Sequence, residues 1–469
     1  MTQIPILSGI YSDGAPDLRE SYPVNLVPVP KQNGISNGYL RPADGIVQFG
    51  VGPGIDRGGI NWNGVCYRVM GTSLVSVESN GVVTVLGDVG GASGSYVTMD
   101  YSFDRLSIAS AGGLYYWDGA ALTKVSDSDL GLVIDQRWVD GYFMTTDGTS
   151  LVVTELTDPT QVNPLKYGSA EADPDPIKAI LKLRNEIYAL NRNTIEVFDN
   201  VGGDFFPFRR IEGAQIQKGV VGTHACCVYM ETVAFLGSSR NEAPGIYLGA
   251  NASAVKISTR EIDTVLLGYT EEQLAGVKLE ARNDKANNHL WVHLPDRTIV
   301  YDAAASKAIE DHVWFILTSG LVGFNQYRAR NAVWCYNQWM VGDTATANLG
   351  TLDDQTGYQW GQLARWEFGT TIIYNGSRGV VFHELELVPL AGRVALGSDP
   401  TISTSYSMDG ETWSQPKRVR VGTIGNRTKR LVWFQQGIMR NWRIQRFQGD
   451  SAAHLAFIRL EAQLEPLGA

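Results

Sequence analysis

The 469-residue chain has few cysteines and no long apolar run. Four cysteines (Cys66, Cys226, Cys227 and Cys335) are too few and too scattered for a disulfide framework. We therefore expect free thiols, most of them buried, in a protein that assembles in a reducing cytoplasm. No apolar run reaches about 18 residues, so the sequence predicts no membrane-spanning helix and no membrane anchor. The opening residues MTQIPILSGIYSDG also lack the features of a signal peptide.

Positive charge is scarce as well. Lysine and arginine number 39 against 49 aspartates and glutamates, which gives a formal net charge of −10. A chain this acidic is not expected to coat nucleic acid over its whole surface. Hydrophobic residues make up 44% of the chain, which is enough for a sizeable core. The 51 glycines, 12 tryptophans and 20 tyrosines favour many short strands joined by tight turns.

Turn signals recur along the chain between β-rich runs. They are Asn63-Gly64, Asn80-Gly81, Asp118-Gly119, Asp147-Gly148, Asn375-Gly376 and Asp409-Gly410, and such pairs accept the positive φ of hairpin turns. The runs form meanders that begin near Gly58, Tyr96, Asp135, Ile177, Gly219, Leu279 and Phe324. A spacing of about 35 to 60 residues is typical of four-stranded blades with insertions. The sequence predicts an all-β fold with a β-propeller of six or seven blades, and stacked β-sandwiches are the alternative.

Three segments depart from the meanders. Residues 258–278 predict a short helical insertion, capped by Ser258, interrupted at Gly268 and resumed at Thr270. Residues 1–50, with five prolines between Pro5 and Pro30, predict an extended N-terminal arm. Longer strands near the end predict a C-terminal β-sandwich platform over residues 366–469, which leaves residues 51–365 for the propeller.

The C-terminal strands concentrate positive charge. Between Lys417 and Arg459 the chain has ten lysines and arginines and one acid, Asp450. Arginine suits a protein interface because its planar fork pairs with carboxylates and stays charged when desolvated. We predict an interface made by Arg418, Arg420, Arg427, Lys429, Arg430, Arg440, Arg443 and Arg446. The alternatives are ion pairs within the chain, and contact with DNA helped by Trp433 and Trp442.

Candidate catalytic groups have simpler structural explanations. Residues 407–413 are similar to a sialidase Asp-box, but the spacing differs and the motif occurs once, so the Asp409-Gly410 turn explains it. Glu384 and Glu386 share one strand face at roughly 7 Å, a separation that glycosidase carboxylates could tolerate. Because His383, Leu385 and Leu387 occupy the opposite face, a solvated polar face is the better explanation of this pair. The sequence therefore predicts no enzyme.

Candidate metal ligands are equally weak. His289 and His293 would lie roughly 13 Å apart along a strand, too far for one zinc ion. The acidic cluster Glu171, Asp173 and Asp175 lacks the pattern of an EF-hand loop and is explained by a solvated loop. The sequence predicts no metal site and no cofactor.

Several segments, in order along the chain, resemble one family. They are SYPVNLVPVP, SNGYLRPADGI, VCYRVMGTSLVSV, IQKGVVGTHACC, ISTREIDTVLLGYTEEQLAGV and ARNDKANNHLWVHLPDRTIVYDAAAS, followed by the arginine-rich strands. Together they resemble the packaged-DNA stabilisation proteins, which form the tail hub or nozzle of short-tailed phages. The resemblance covers most of the chain.

The resemblance implies a non-enzymatic subunit of the virion tail. It implies a homo-hexameric ring that extends the channel of the portal and its adaptor ring, retains the packaged DNA and is assembled in the host cytoplasm. The implied partners are the adaptor ring, tailspike trimers, a tail needle and DNA that passes through the lumen without sequence-specific binding. A carbohydrate-binding or glycosidase-type propeller of a tail adhesin is the alternative function.

Overall fold

A computed structural model of the chain describes residues 2–7, 22–31, 35–170, 173–376, 378–426 and 428–467. The strands form a ring of small sheets and a separate sandwich of two larger sheets. All four cysteines are free, and Cys66, Cys226 and Cys335 are buried, as the sequence predicts. No helix among the described residues is long and apolar enough to cross a membrane.

The first four strands serve two different regions of the molecule. They are β1 (Thr2–Ile4), β2 (Leu26–Val29), β3 (Tyr39–Pro42) and β4 (Gly45–Val51). β1 and β3 pair with the last strand of the chain, and β2 pairs with β3, whereas β4 joins a sheet of the ring. Part of the predicted N-terminal arm thus lies against the sandwich, where Pro28 is in the edge strand β2 and its missing N–H costs no ladder bond. Residues 8–21 and 32–34 lie outside the described residues.

Seven antiparallel sheets form the blades of a propeller within the described residues. Blade one comprises β5 (Asp56–Trp62), β6 (Val65–Met70), β7 (Ser73–Val77) and β8 (Val83–Asp88), and blade two comprises β9 (Thr98–Tyr101), β10 (Leu106–Ser110), β11 (Gly113–Trp117) and β12 (Leu122–Lys124). Blade three comprises β13 (Asp135–Val139), β14 (Tyr142–Thr146), β15 (Ser150–Thr154) and β16 (Val162–Ser169). Blade four comprises β17 (Ile177–Leu183), β18 (Glu186–Asn191), β19 (Ile195–Asn200) and β20 (Phe208–Arg210). Blade five comprises β21 (Gly219–Val220), β22 (Cys226–Tyr229), β23 (Thr232–Ser238), β24 (Gly245–Ala250) and β25 (Ser253–Lys256). Blade six comprises β26 (Lys278–Asp284), β27 (Asn287–His293), β28 (Thr298–Asp302) and β29 (Trp314–Leu317). Blade seven comprises β30 (Ala329–Cys335), β31 (Gln338–Asp343) and β32 (Asn348–Asp353) together with β4. The predicted propeller is confirmed, with seven blades.

The inner strands of the blades lie against one another around a central pocket. β5 contacts β9, and the series continues through β13, β17, β22, β26 and β30 until β30 returns to β5. A four-stranded meander cannot bury both of its faces alone, so each blade is covered by its neighbours. β4 is the outermost strand of blade seven, and a strand that precedes blade one therefore closes the ring.

Carboxylates on the inner strands tie neighbouring blades together. Asp135 of blade three accepts the backbone N–H of Ile180 of blade four at 2.8 Å. Glu280 of blade six accepts the backbone N–H of Asn331 of blade seven, also at 2.8 Å. Both donors lie at or beside irregularities in strand pairing, where a backbone N–H would otherwise lack a partner. An ionised acceptor makes these bonds stronger than ordinary ladder bonds.

The remaining strands form the β-sandwich. They are β33 (Arg365–Gly369), β34 (Ile373–Tyr374), β35 (Val380–Val394), β36 (Thr401–Ser407), β37 (Lys417–Arg420), β38 (Leu431–Phe434), β39 (Ile438–Met439), β40 (Trp442–Asp450) and β41 (Ala453–Pro466). One sheet has the order β2-β3-β41-β35-β38, with β1 on β41 and β39 on β35, and the other has the order β33-β40-β36-β37, with β34 on β40. The sheets pack around aromatic side chains, and the ring of Phe368 lies 5.1 Å from Phe447 and 5.5 Å from Phe457.

Helices are short in the part of the chain that the structure describes. They are α1 (Arg260–Leu267), α2 (Glu271–Ala275) and α3 (Ala303–Ile309), with a 3₁₀ turn at Ser128–Leu130. α1 and α2 form the predicted insertion, between blades five and six. The N-cap of α1 is Thr259 and not Ser258, whose hydroxyl instead donates to Asp263 at 2.7 Å. Thr270 caps α2 as predicted, whereas α3, capped by Asp302, is absent from the sequence prediction.

Five of the six predicted hairpin signals connect strands that pair with each other. Asn63-Gly64 joins β5 to β6 with φ values of 53° and 80°, as a two-residue hairpin turn requires. Asn375-Gly376 is the exception, because it leads from β34, which pairs with β40, to β35 in the other sheet. An Asn-Gly or Asp-Gly dipeptide therefore predicts a turn, but the packing around the turn decides whether the flanking strands pair with each other.

Candidate interaction surface on the β-sandwich

The edge strand β37 carries three exposed basic side chains, of which Arg418 and Arg420 belong to the predicted basic set. Lys417, Arg418 and Arg420 are all exposed there. β37 pairs with β36 on one side, and its other side approaches β38, the edge strand of the facing sheet. The indole N–H of Trp433 on β38 donates to the carbonyl of Lys417 at 3.0 Å, which joins the two sheet edges.

Lys429 and Arg430 directly precede β38 and extend this positive surface. Arg430 is exposed, and its guanidinium donates to Glu386 at 2.8 Å and to Glu384 at 3.1 Å. Arg430 holds the pKa of the Glu386 carboxyl below its usual value. Arg420 pairs with Asp399 at 3.2 Å. We name the group Lys417, Arg418, Arg420, Lys429 and Arg430 the basic edge.

Arg443 lies inside the sandwich, so its prediction as an interface residue is wrong. It is 0% exposed, because the central strand β40 has neighbours on both sides and is covered on both faces. Its guanidinium donates to the carbonyl of Gln436 at 2.6 Å and to the side chain of Gln445 at 3.0 and 2.7 Å. The rings of Phe382 and Tyr406 lie 4.1 and 3.9 Å from the guanidinium carbon. Burial lowers the pKa of Arg443 to about 9.

Arg446 and Arg440, two other predicted members, do not join the basic edge. Arg446 is half-buried on β40, with its guanidinium carbon 3.9 Å from the ring centre of Trp413. Arg440 is exposed in the turn before β40, and Arg427 lies outside the described residues. Lys417 belongs to the basic edge although the predicted set omits it. Its place on the same strand as Arg418 is the signal that could have identified it.

The two candidate catalytic motifs have structural roles. Asp409 accepts the backbone N–H groups of Glu411 and Thr412 at 2.9 and 2.8 Å and so closes its own turn, which agrees with the turn explanation. Bonds from the hydroxyl and N–H of Thr412 hold the pKa of Asp409 below its usual range. Glu384 and Glu386 share an ion pair with the single guanidinium of Arg430. A carboxylate in an ion pair is poorly suited to deliver a proton.

The two candidate histidines face different carboxylates. His289 Nε2 lies 3.4 Å from Asp302, and His293 Nε2 lies 3.5 Å from Glu280. Both histidines are buried in β27, which is a strand as the sequence predicts. Across the described ranges, no group of three or more His, Cys, Asp and Glu side chains is placed to hold a metal ion.

The acidic loop before blade four makes ordinary surface contacts. Asp173 pairs with Arg240 at 2.6 Å, and Asp175 accepts the hydroxyl of Thr194 at 3.3 Å. Glu171, the third predicted member, lies outside the described residues. The two described carboxylates are thus engaged by protein donors.

Two solved structures share only a loose likeness with the chain. The WD40 domain of Neurospora crassa Pan2 matches with a TM-score of 0.43 and 10% identity, covering 66% of this chain and 95% of that one. The N-terminal domain of Nup159 matches with a TM-score of 0.41 and 8% identity, covering 71% of this chain and 99% of that one. TM-scores this low carry no argument about fold or function.

Comparisons with protein families and with one relative cover most of the chain. The family model described as "Bacteriophage P22 Gp10, beta-propeller" matches residues 2–357, and "Bacteriophage P22 Gp10, beta-sandwich" matches residues 365–465. The tail hub protein gp10 of Salmonella phage P22 is 28% identical over 460 residues, which cover 93% of this chain and 94% of that protein. With both regions matched in order, the chain belongs to the P22 Gp10 family of phage tail hub proteins.

Proposed function

We propose that the chain is a structural, non-enzymatic hub subunit that forms a hexameric ring in the virion tail. In this proposal the ring extends the channel of the portal and adaptor rings and retains the packaged DNA. It also anchors tailspike trimers and a tail needle, and it is assembled in the host cytoplasm. The observation that carries the proposal is the ordered match of both family regions over nearly the whole chain.

The basic edge contacts an acidic surface of a neighbouring protein in this proposal, either an adjacent hub subunit or the adaptor ring. The chain itself has a net charge of −10, so other copies offer acidic surfaces. Arg418 is exposed on a strand held in place by the bond between Trp433 and Lys417. The backbone of this strand is thus fixed before binding, and arginine pairs with carboxylates through two parallel bonds.

Direct gripping of DNA by the same region fits the side-chain positions less well. Trp433 is 2% exposed and Trp442 is half-buried, so neither offers an open ring for base stacking. DNA must also slide through the lumen during ejection. A dense ring of lysine and arginine would hold phosphates through counterion release, and the acidity of the chain suits a lumen without one.

The alternative function is a carbohydrate-binding or glycosidase-type propeller of a tail adhesin. Its best carboxylate candidates, Glu384 and Glu386, lie on β35 of the sandwich and not in the propeller. Both are bound by Arg430. No feature of the described residues favours this alternative over a hub.

Charge reversal on the exposed edge strand tests the proposed interface. The double variant Arg418→Glu/Arg420→Glu leaves the core unchanged, so we expect soluble, folded subunits. Their incorporation into particles should fall by about tenfold or more, because like charges then face each other. DNA packaging should proceed, but the filled heads should lose their DNA. Particle composition by gel and retained DNA by nuclease protection measure both effects.

A matched control reverses two exposed arginines of the propeller, Arg184→Glu and Arg240→Glu, each of which makes a surface ion pair. This control should be incorporated normally. Normal incorporation and full infectivity of the Arg418→Glu/Arg420→Glu variant would remove the interface assignment. Absence of the wild-type chain from tailed particles would remove the hub proposal itself.

A further inference from the structure

The chain contains a dipeptide that is reactive on its own, asparagine followed by glycine. The backbone nitrogen of the glycine can attack the side-chain amide carbon of the asparagine, and the missing Cβ of glycine leaves this approach open. Such dipeptides occur four times within the described residues, and Asn33-Gly34 lies outside them. The four are Asn37-Gly38, Asn63-Gly64, Asn80-Gly81 and Asn375-Gly376.

Exposure does not separate these sites, because the asparagine is exposed in all four. The reaction needs a glycine nitrogen that is free of a hydrogen-bond acceptor, since its proton must be lost before the nitrogen attacks. It also needs the backbone and the asparagine side chain to rotate until the nitrogen faces the amide carbon. A glycine N–H that donates to an acceptor, or a turn that is fixed on both sides, therefore slows the reaction.

The two dipeptides in propeller hairpins are held in both ways. The N–H of Gly64 donates to the side-chain oxygen of Asn61 at 3.2 Å, and the N–H of Gly81 donates to the carbonyl of Glu78 at 3.0 Å. The side-chain oxygen of Asn80 is also engaged, because it accepts the backbone N–H two residues further on at 2.9 Å. Both turns join strands that pair with each other, so the ladder beside each turn resists rotation.

Asn37-Gly38 is fixed by its surroundings. Gly38 is buried, and its N–H donates to the hydroxyl oxygen of Ser36 at 3.4 Å. A Cβ on Gly38 would lie 2.5 Å from the side chain of Leu7 and 2.7 Å from the carbonyl oxygen of Val29. Packing this close leaves the backbone no room to rotate.

Asn375-Gly376 has neither restraint. Among the described residues, the Gly376 N–H and the Asn375 side chain have no hydrogen-bond partner. Both residues are exposed, and a Cβ on Gly376 would meet nothing within 4 Å. The carbonyl of Asn375 accepts the N–H of Arg378 at 3.0 Å, which leaves the reacting atoms free. The dipeptide leads from β34 in one sheet to β35 in the other, so no ladder spans the turn.

We infer that Asn375 is a site of spontaneous deamidation. The nitrogen of Gly376 gives its proton to water and bonds to the side-chain amide carbon of Asn375, and the side-chain nitrogen leaves as ammonia. Water then opens the resulting cyclic imide at either carbonyl, which yields aspartate or isoaspartate. The sum is one water consumed and one ammonia released, so the step needs no oxidant or reductant.

Deamidation adds a negative charge at one end of the sandwich. Tyr374, which precedes the site, is the register partner of Trp442, and Arg440 is exposed in the turn just before Trp442. Arg378 is exposed after the site. The modification thus changes the charge of this surface without touching the core, and it does not depend on the proposed hub function.

Peptide mass spectrometry of the folded chain during storage in mildly alkaline buffer tests the site. Conversion of amide to acid should be about fivefold or more faster at Asn375 than at Asn63 and Asn80, because freeing an engaged N–H costs roughly the net value of one hydrogen bond. In urea, where the turns are unfolded, the three rates should converge. Labelling by an isoaspartyl methyltransferase identifies the isoaspartate product.

A pair of variants ties the charge change to the site. Asn375→Gln should remove the fast acidic shift of the intact chain on ion exchange, because glutamine forms its cyclic imide far more slowly. The matched control Asn80→Gln should keep that shift. Equal rates at Asn375, Asn63 and Asn80 in the folded chain would overturn the inference. An Asn375 that stays an amide in the folded chain but reacts in urea would also overturn it.

Discussion

The propeller and the sandwich each bury an arginine completely, but they surround it differently. Arg68 of the propeller donates two bonds to Asp56, both at 2.8 Å, and a third to the carbonyl of Asn331 at 2.8 Å. Burial alone would lower the pKa of Arg68, yet Asp56 raises it above the usual value. Arg443 of the sandwich has glutamine, carbonyl and aromatic partners, and burial lowers its pKa.

The difference shows what each buried charge holds together. Asp56 and Arg68 lie in blade one and Asn331 lies in blade seven, so their bonds fasten the seam where the ring closes. Arg443 and its partners all lie within the sandwich and stabilise that region alone. Losing one member of an ion pair strands the other charge in the core, whereas losing Arg443 strands only neutral polar groups.

Asp56→Ala, which removes the carboxylate partner of Arg68, should cause the largest loss of stability. Arg68 would remain buried without its carboxylate, and we expect the propeller to lose about 3–5 kcal/mol of unfolding free energy. Denaturant unfolding with hydrogen exchange resolved by peptide should show faster exchange in blades one and seven while the sandwich is unchanged. The control Asp104→Ala, which removes an exposed pair with Arg105, should cost less than about 1 kcal/mol. Equal losses of unfolding free energy in the two variants would contradict the role of Asp56 and Arg68 in joining blades one and seven.

Arg443→Met should have a smaller effect, confined to the sandwich. Methionine fills a similar volume, but Gln445 and the carbonyl of Gln436 lose their donor, which costs about 1–3 kcal/mol. Exchange should accelerate in β35, β36 and β40 and not in the blades. Arg440→Met, at an exposed position three residues earlier, serves as the control and should change stability by less than about 0.5 kcal/mol. A loss of unfolding free energy as large as that of Asp56→Ala would contradict the difference between the surroundings of Arg68 and Arg443.

Acid should weaken the propeller through His289. Burial lowers the pKa of His289 despite the nearby Asp302, so the folded chain keeps the ring neutral while the unfolded chain takes up a proton below about pH 6.5. This contribution is fully present above about pH 6.5 and is lost as the pH falls, by at most about 1.4 kcal/mol per pH unit. Unfolding curves between pH 7 and pH 5 measure the slope. His289→Gln should reduce the slope, while His224, whose burial lowers its pKa to about 3, still contributes to it. An unchanged slope would exclude His289 as a source.

The smallest effect should come from the surface of the sandwich. Glu386→Gln removes one of two carboxylates that bind the exposed Arg430, and Glu384 remains to pair with it. We expect a loss below about 0.5 kcal/mol that shrinks further in high salt. Thermal melts at low and high salt provide the measurement. A loss above about 2 kcal/mol would mean that this surface pair acts like the buried one of the propeller.

Local sequence signals predict the blades well. The blade starts expected near Asp135, Ile177 and Gly219 coincide with the first residues of β13, β17 and β21. Repeated hairpin turns and alternating strands are local features, so one sequence suffices to read them. The sequence analysis predicts no helix at α3, although Asp302 before an alanine run is a helix start signal, because seven residues are too few for a clear helical periodicity.

Long-range partners could not be read in the same way. Nothing local in Gly45–Val51 shows that it pairs with Asn348–Asp353 to complete blade seven. Likewise, the run of arginines near Arg443 looks uniform in sequence, and only the position of β40 between two neighbours separates this buried residue from the exposed Arg418. The sequence thus predicts a concentration of basic residues in the C-terminal strands, but the packing of the sheets decides which of these residues form the basic edge.

The closure of both regions by N-terminal strands sets an order of events during synthesis. β4 must wait for β32, which follows blades one to six, and β1 must wait longer for β41, which follows the other sandwich strands. Blades one to six can form in the meantime from local hairpins, which are fast to close. A chain that stops after Asp353 has every strand of the ring but lacks β41, so only its sandwich stays incomplete. The ring can therefore close while the sandwich is still being made.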